Sequence, residues 1–387
     1  MNISAQYFDW AASAPQNPEI AAEALDIAQK YAANPSSVHK AGIEARKKLE
    51  EARKRCADVL NVKPECLVFT SGGTESNHIP LLSLLQKPIK GSIVISAIEH
   101  AAVREQALAL RHCGRRVITA DCGKDGIVSA DEVLKKCEGD TEMVCIMAVN
   151  NETGAIQPVY EIADALASLK GRRPKLHVDA VQAAGKIPFD FSYTGIDSAA
   201  VSAHKIYGCR GIGLLYTASR TESFLKGGGQ EGGMRSGTEN LFGIWSLMRC
   251  LETCAEKTAC TAALEAQKEK TAFFIGALQK IPGCTIIPEA RAAFPDLYSP
   301  WIVQASFKGI PGEVAVRALS ERGFYISTGS ACSARKNKRP VLSAMKIDEE
   351  TARNSVRFSF GSMQTHKDIE ALIEAVREVN ALFGQKI

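Results

Sequence analysis

The sequence predicts an α/β protein: a mostly parallel seven-stranded sheet with helices on both faces, plus a smaller α+β domain. Three observations carry this. Between residues 67 and 216, seven short runs are apolar without alternation and rich in β-branched residues, as strands covered on both faces are. Helical patterns separate several of these runs, and strands alternating with helices build a mostly parallel sheet. From Ala259 the rhythm changes to a long charged helix followed by scattered strands, which closes the large domain.

Taken in order, residues 20–33 and 42–60 read as helices. In the second, Leu49, Ala52, Cys56, Val59 and Leu60 recur at spacings that give one apolar stripe, while Glu50 and Lys54 sit at i,i+4 on the wet face. Residues 67–70, 93–96, 116–120, 143–149, 176–179, 198–202 and 211–216 are the seven strands; residues 76–86, 101–113, 129–137 and 159–169 are helices between them. Beyond Pro282-Gly283 come strands over 285–287, 302–307 and 356–360, with helices over 312–321 and 367–383. The boundary falls near residues 255–265. This places a large α/β domain at 14–258 and a small α+β domain at 1–13 and 259–387.

Composition narrows the function. Lys and Arg number 47 against 43 Asp and Glu, a net charge of +4, which speaks against nucleic acid or anionic lipid as the main partner. Residues 1–9 are polar and lack the basic start and apolar run of a secretory signal, and no apolar stretch is long enough for a membrane span. Twelve cysteines at scattered spacings, with no Cys-x-x-Cys, point to a reducing compartment, so a cytoplasmic location is expected. Cys250, Cys254 and Cys260, on a probable helix, do not make a zinc-ribbon signature, and no metal site is expected.

Ligands on open α/β sheets bind beyond the carboxyl ends of the strands. After residues 67–70 comes Ser71-Gly72-Gly73-Thr74-Glu75-Ser76-Asn77. Small residues let backbone N–H groups approach an anion, and a helix N-terminus adds about half a positive charge. No Lys-Ser/Thr follows at P-loop spacing, so the segment is equally a phosphate cup or an ordinary strand-to-helix turn. The other strands lead to Glu99-His100, Asn150–Gly154 with Asn151, Asp179 with Gln182 one turn later, and His204-Lys205. Polar groups at five successive strand ends could ring one pocket. A lysine in a dry pocket forms Schiff bases, and pyridoxal phosphate wants such a lysine, a carboxylate for its ring nitrogen and a phosphate cup. Lys205, Asp179 and residues 72–74 could fill those roles.

The segments 7–12, 34–39, 70–77, 99–100, 149–154, 177–182, 204–208, 234–240 and 330–332 resemble, in order, the motifs of cysteine desulfurases, class V members of the aminotransferase superfamily with fold type I. The match spans residues 7–361. The resemblance implies pyridoxal 5'-phosphate as cofactor, Lys205 as the Schiff-base lysine and Asp179 as partner of the ring nitrogen. It further implies Gly73, Thr74, Ser202 and His204 as phosphate ligands, and Thr238 as a phosphate ligand reaching across a homodimer interface. His100 is implied as the imidazole stacked on the cofactor ring, where it shuttles protons; Gln182 is implied beside the phenolic oxygen. Asn151, Asn34 and Arg357 are implied to hold the substrate carboxylate, Asn151 lying beside the cofactor as well.

Cys332, in the small-residue run 327–334 followed by Arg335, Lys336, Lys338 and Arg339, is implied as the thiol that takes sulfur. Nearby cations lower a thiol pKa and raise its nucleophilic fraction. The implied reaction converts L-cysteine to L-alanine with a persulfide on Cys332, the sulfur passing to an acceptor such as an iron–sulfur scaffold or a tRNA-thiolation relay. Other class V activities, a selenocysteine lyase or an aminotransferase, would not depend on Cys332; a non-catalytic thiol-rich metal or cluster scaffold would need neither Lys205 nor Asp179. Three positions depart from the family pattern: Trp10 where Asn is usual, His78 where a second Asn often stands, and Ala203 where Gly commonly precedes the His-Lys pair.

Overall fold

The computed structural model describes residues 4–87, 91–329 and 339–384. Seven strands form the large sheet: β1 (Leu67–Thr70), β2 (Ser92–Ser96), β3 (Arg116–Ala120), β4 (Met143–Met147), β5 (Lys175–Asp179), β6 (Ile196–Ser202) and β7 (Gly213–Thr217). Their order is β1-β7-β6-β5-β4-β2-β3. Strands β3, β2, β4, β5 and β6 are mutually parallel. Strand β7 runs antiparallel between β6 and β1. The reason is chain length: only residues 203–212 join β6 to β7, fewer than the dozen or so that a parallel crossover takes. The chain turns one way from β2 to β3 and the other from β4 to β5. That puts a switch-point crevice between the carboxyl ends of β2 and β4, where α/β sheets bind ligands.

The helices around this sheet are α1 (Pro18–Lys30), α2 (Lys40–Leu60), α3 (Gly73–Ser83), α4 (Ala101–His112), α5 (Ala130–Lys136), α6 (Val159–Ala167) and α7 (Leu241–Cys254). The stripe Leu49, Ala52, Cys56 and Leu60 on α2 is buried in the main core with the strand side chains. Helix α3 begins at Gly73 rather than near Ser76, because the glycines that read as a turn are already its first residues. Asn17 caps α1, accepting from the Glu19 and Ile20 N–H groups with Pro18 in the first position. Helix α7, touched in the sequence only through Cys250 and Cys254, is buried along most of its length against α1 and α2. So much of its surface is apolar that no single stripe marks it.

A second core follows α8 (Lys257–Leu278). Strands β8 (Cys284–Ile287), β9 (Ile302–Phe307) and β10 (Ser355–Ser359) form an antiparallel sheet in the order β10-β9-β8, with α9 (Gly312–Glu321) and the helix His366–Gly384 beside it. Phe274 packs edge-on against Phe358 and Phe360, with centroids 5.1 and 5.3 Å away. The start of the chain joins this core: the Phe8 N–H donates to Tyr325 O at 2.7 Å, and Phe8 O accepts from Ser359 N at 2.8 Å.

Candidate active site

The carboxyl ends of the parallel strands, the N-terminus of α3 and the extended start of the chain enclose one cavity of about 550 Å³. Its floor is a polar chain rooted in the sheet. His177 and Asp179 lie two apart on β5 and so face the same way. The Asn77 Nδ2 group donates to Asp179 Oδ2 at 2.9 Å, and the Val181 N–H donates to Asp179 Oδ1 at 3.1 Å. Because Asn77 spends its N–H on the carboxylate, its Oδ1 must accept from His177 Nε2, 2.8 Å away. His177 Nδ1 is then left to accept from Ser198 Oγ at 2.8 Å. Complete burial pushes the His177 pKa down to about 3, so the ring is neutral and its tautomer is set by these two partners.

One turn of 3-10 helix carries Lys205 from the end of β6 into the cavity, where its Nζ donates to Ala11 O and Ala12 O, each at 2.7 Å. Gln182 Nε2 donates to Ala11 O as well, at 3.0 Å, and Gln182 Oε1 accepts from Lys186 Nζ at 2.6 Å. The Lys186 amine is pushed down to about 7, first by burial and then by the charges of Lys205 and Arg357, with Cys254 opposing. His100 caps α4: its Nδ1 accepts from the Ala102 N–H at 3.1 Å, which puts a neutral ring's proton on Nε2. Burial lowers its pKa, and the Asp179 carboxylate offsets this only in part. Burial pushes the neighbouring Glu99 up to about 8, so near pH 7 that carboxyl is mostly protonated and adds little charge beside Asp179.

Around the start of α3, Gly73, Thr74, Ser202 and His204 line the same wall. Gly73 leaves a gap that only glycine allows, since a Cβ there would lie 2.8 Å from Val181 Cγ2 and 3.3 Å from Ser202 Cβ. His204 is neutral, pushed down to about 4 by burial and then by Lys205, and its Nδ1 lies 3.3 Å from Ser13 Oγ. Backbone N–H groups, hydroxyls and an imidazole at a helix N-terminus are the donor set an oxyanion such as phosphate requires. On the opposite side, Arg357 from β10 donates through Nη1 to Asn151 O and through Nη2 to Asp9 Oδ1, both at 2.7 Å. Its Nε is buried with no partner among the described residues, which suits a carboxylate not present here. Asp9 is raised by burial, with Arg357 pulling it back down. The Asn150 side chain builds the neighbouring turn, its Oδ1 accepting from the Glu152 and Thr153 N–H groups at 2.9 Å; this leaves Asn151 on the cavity wall.

Of the strand-end residues singled out from sequence, His100, Asn151, Asp179, Gln182, His204 and Lys205 meet in this one cavity, as do Ser202, Gly73, Thr74 and Arg357, whereas Glu99 and Asn150 lie behind its wall. Asn34 does not line it: it is exposed, and its Oδ1 accepts from Ser36 N at 2.8 Å within its own turn. Thr238 is exposed and also outside the lining. Cys332 lies outside the described residues. Asn77, Ser13 and Arg210 were missed as site residues. The signal for Asn77 was its position one helical turn after Gly73, on the cavity end of α3. Arg210 stood between Gly208 and Gly211 shortly after Lys205, a basic residue on a strand-end loop.

The three departures from the family pattern are accommodated locally. Trp10 is buried and packs 5.5 Å edge-on to Tyr207, in space that Gly361 opens, since a Cβ there would lie 2.5 Å from the indole. The Ala203 methyl is likewise housed by Gly208, where a Cβ would approach it to 2.8 Å. His78 hydrogen-bonds to Ala102 O at 3.1 Å, tying α3 to α4.

The model of the aminotransferase class-V family matches residues 6–372. A NifS/IcsS protein homolog of Lactobacillus delbrueckii is 36% identical over 386 residues, 98% of each chain. Cysteine desulfurase IscS of Dictyoglomus turgidum is 33% identical, covering 96% of this chain and 94% of its own. A solved NifS-like protein superposes with a TM-score of 0.88 at 32% identity, covering 97% of this chain and 99% of its own.

Proposed function

The chain belongs to the aminotransferase class-V family, and from that premise we propose that it is a cysteine desulfurase. It binds pyridoxal 5'-phosphate and takes sulfur from L-cysteine, leaving L-alanine and a persulfide on Cys332. The observation that carries the reading is the single cavity in which the Lys205 amine, the Asp179 carboxylate and the start of α3 face one another. The name of the Dictyoglomus relative supports the same activity.

When bound, pyridoxal phosphate supplies an aldehyde that holds an amine as an imine and a ring that stores the electron pair left when a substrate proton departs. Asp179, oriented by Asn77 and the Val181 N–H, would hold a proton on the ring nitrogen. Gly73, Thr74, Ser202 and His204, together on one wall, would hold the phosphate. The Lys205 amine, which reaches into the cavity, would hold the cofactor's aldehyde, and as a free amine it would be the base for the substrate's α-proton. His100, its Nδ1 occupied by the Ala102 N–H, would present its Nε2–H as a hydrogen-bond donor towards the reacting groups. Arg357 and Asn151, both on the cavity wall, would hold the substrate carboxylate. The Cys332 thiolate attacks the substrate sulfur; the new S–S bond forms as the C–S bond breaks, and the electron pair leaves with the carbon.

We place Thr238, exposed in one copy, at the phosphate of a second copy in a homodimer; Asn34, turned to Ser36 outside the cavity, is left out of the substrate site. The division into a large domain at 14–258 and a small one at 1–13 and 259–387 belongs to the same proposal; Phe8 in the second core supports it. An iron–sulfur scaffold or a tRNA-thiolation relay as sulfur acceptor, and a cytoplasmic location, complete the reading. No helix among the described residues is long and apolar enough to cross a membrane. The test is incubation with L-cysteine, followed by assay of alanine and the mass of the Cys332 peptide. Alanine with one added sulfur on that peptide is expected; a keto acid without added sulfur would turn the assignment toward an aminotransferase.

A further inference from the structure

An amide beside an oxygen ligand can present its N–H or its C=O, and half a turn about one bond exchanges them. If pyridoxal phosphate fills the cavity, the Gln182 amide on its wall faces this choice toward the cofactor's phenolic oxygen, and nothing within Gln182 decides it. Its surroundings do. Lys186 Nζ donates to Gln182 Oε1 at 2.6 Å, and Gln182 Nε2 donates to Ala11 O at 3.0 Å, the same carbonyl that accepts from Lys205 Nζ at 2.7 Å. We propose that Lys186 is a positioning residue: it locks the Gln182 amide with its carbonyl turned away and its second N–H turned to the cofactor cavity. The inference rests on the pyridoxal phosphate reading of that cavity.

The physical argument is one of donors. The Ala11 carbonyl can only accept, so a flipped Gln182 would set C=O against C=O there at any pH; below pH 7, where Lys186 is an ammonium with no lone pair, the flip would also set N–H against N–H at Lys186. Each end of the amide enforces the same orientation. The lysine is itself held: its backbone carbonyl accepts from Trp301 Nε1 at 2.7 Å, and it lines a second cavity of about 160 Å³ beside Trp301, Phe360 and Cys254. Gln182 and Lys186 lie four residues apart on a tightly turned segment, where the Ala184 N–H donates to Ala180 O and the Ile187 N–H to Ala183 O, which brings i and i+4 together. Lys205 lines both cavities, so the chain Lys186–Gln182–Ala11 O–Lys205 links them through hydrogen bonds.

The test is titration of the visible absorbance of holoenzyme, with the apparent Kd for pyridoxal phosphate, in wild type, Lys186→Met, Lys186→Arg, Gln182→Ala and the Gln182→Ala/Lys186→Met double variant. A donor to the phenolic oxygen makes the cofactor–lysine linkage less basic. Lys186→Met should therefore raise the absorbance midpoint by about one pH unit and weaken cofactor binding about tenfold. Lys186→Arg, which still donates, should restore both. Adding Lys186→Met to Gln182→Ala should do nothing more. Should Lys186→Met not fold, Lys186→Gln, which offers an acceptor as well as a donor, should move the midpoint the same way by less. An unchanged midpoint in these variants would overturn the proposal; so would a full shift persisting in the Gln182→Ala background, which marks a through-space effect of charge. Wild type that stays colourless with pyridoxal phosphate would sink the reading of the cavity itself, whereas coloured wild type with an indifferent Lys186→Met sinks only the inference.

Discussion

His177 makes no contact with the cavity, yet it sets the orientation of the carboxylate that does. A charged imidazole could no longer accept from Ser198, and its burial admits no water to replace that partner. Its folded pKa of about 3 lies below the ordinary 6.5, so between those values the unfolded chain binds the extra proton. The stability His177 confers is full above pH 6.5 and is lost as pH falls toward 3; His204, pushed down to about 4, acts in the same direction. Urea unfolding across that range should show wild type losing stability faster than His177→Gln, the His177 share being at most roughly 4–5 kcal/mol. Parallel lines would refute the account. Cys332→Ser should bind cofactor and cysteine but gain no sulfur by mass spectrometry. At this scale the sequence revealed the groups that end strands, because strand ends in parallel sheets gather. It concealed Asn77 and Asp9, whose importance lies in partners distant in the chain: Asn77 bridges to β5, and Asp9 meets Arg357 across 348 positions.

Among the elements, α3 does two jobs that its sequence reads only as a glycine turn. Its first residues give the cavity backbone N–H groups, and its second turn brings Asn77 under Asp179. Gly73→Val tests the first job. The added Cβ would meet Val181 Cγ2 at 2.8 Å, and overpacking of this kind costs about 1–3 kcal/mol. Thermal melting should show that loss, with pyridoxal phosphate binding weakened about tenfold or more. Melting unchanged with binding intact would show that the wall yields. The seven strands and most helices were legible because period and composition agree locally. The start of α3 was not, since glycine signals both turn and helix N-terminus. Nor was the extent of α7, whose burial against α1 and α2 erases the polar face that marks an amphipathic helix.

Across the whole molecule, the site is where two cores meet. Arg357 belongs to β10 of the second core, while its Nη1 holds the Asn151 carbonyl beyond β4 of the first. Arg357→Lys should weaken L-cysteine binding about tenfold, since a single ammonium replaces a planar fork; binding to the loaded enzyme without turnover, in a Cys332→Ser background, measures this. Retained affinity would remove Arg357 from substrate recognition. No local pattern in the sequence shows that these two cores meet at a cavity; the structure shows it in Arg357, carried on β10 beside β9 and reaching the Asn151 carbonyl. The central claim is that Lys205 carries the cofactor. Borohydride reduction of the loaded protein, followed by peptide mass analysis, tests it most directly: a pyridoxyl group on Lys205 is expected, and its absence there, or its appearance on Lys186 instead, would contradict the account.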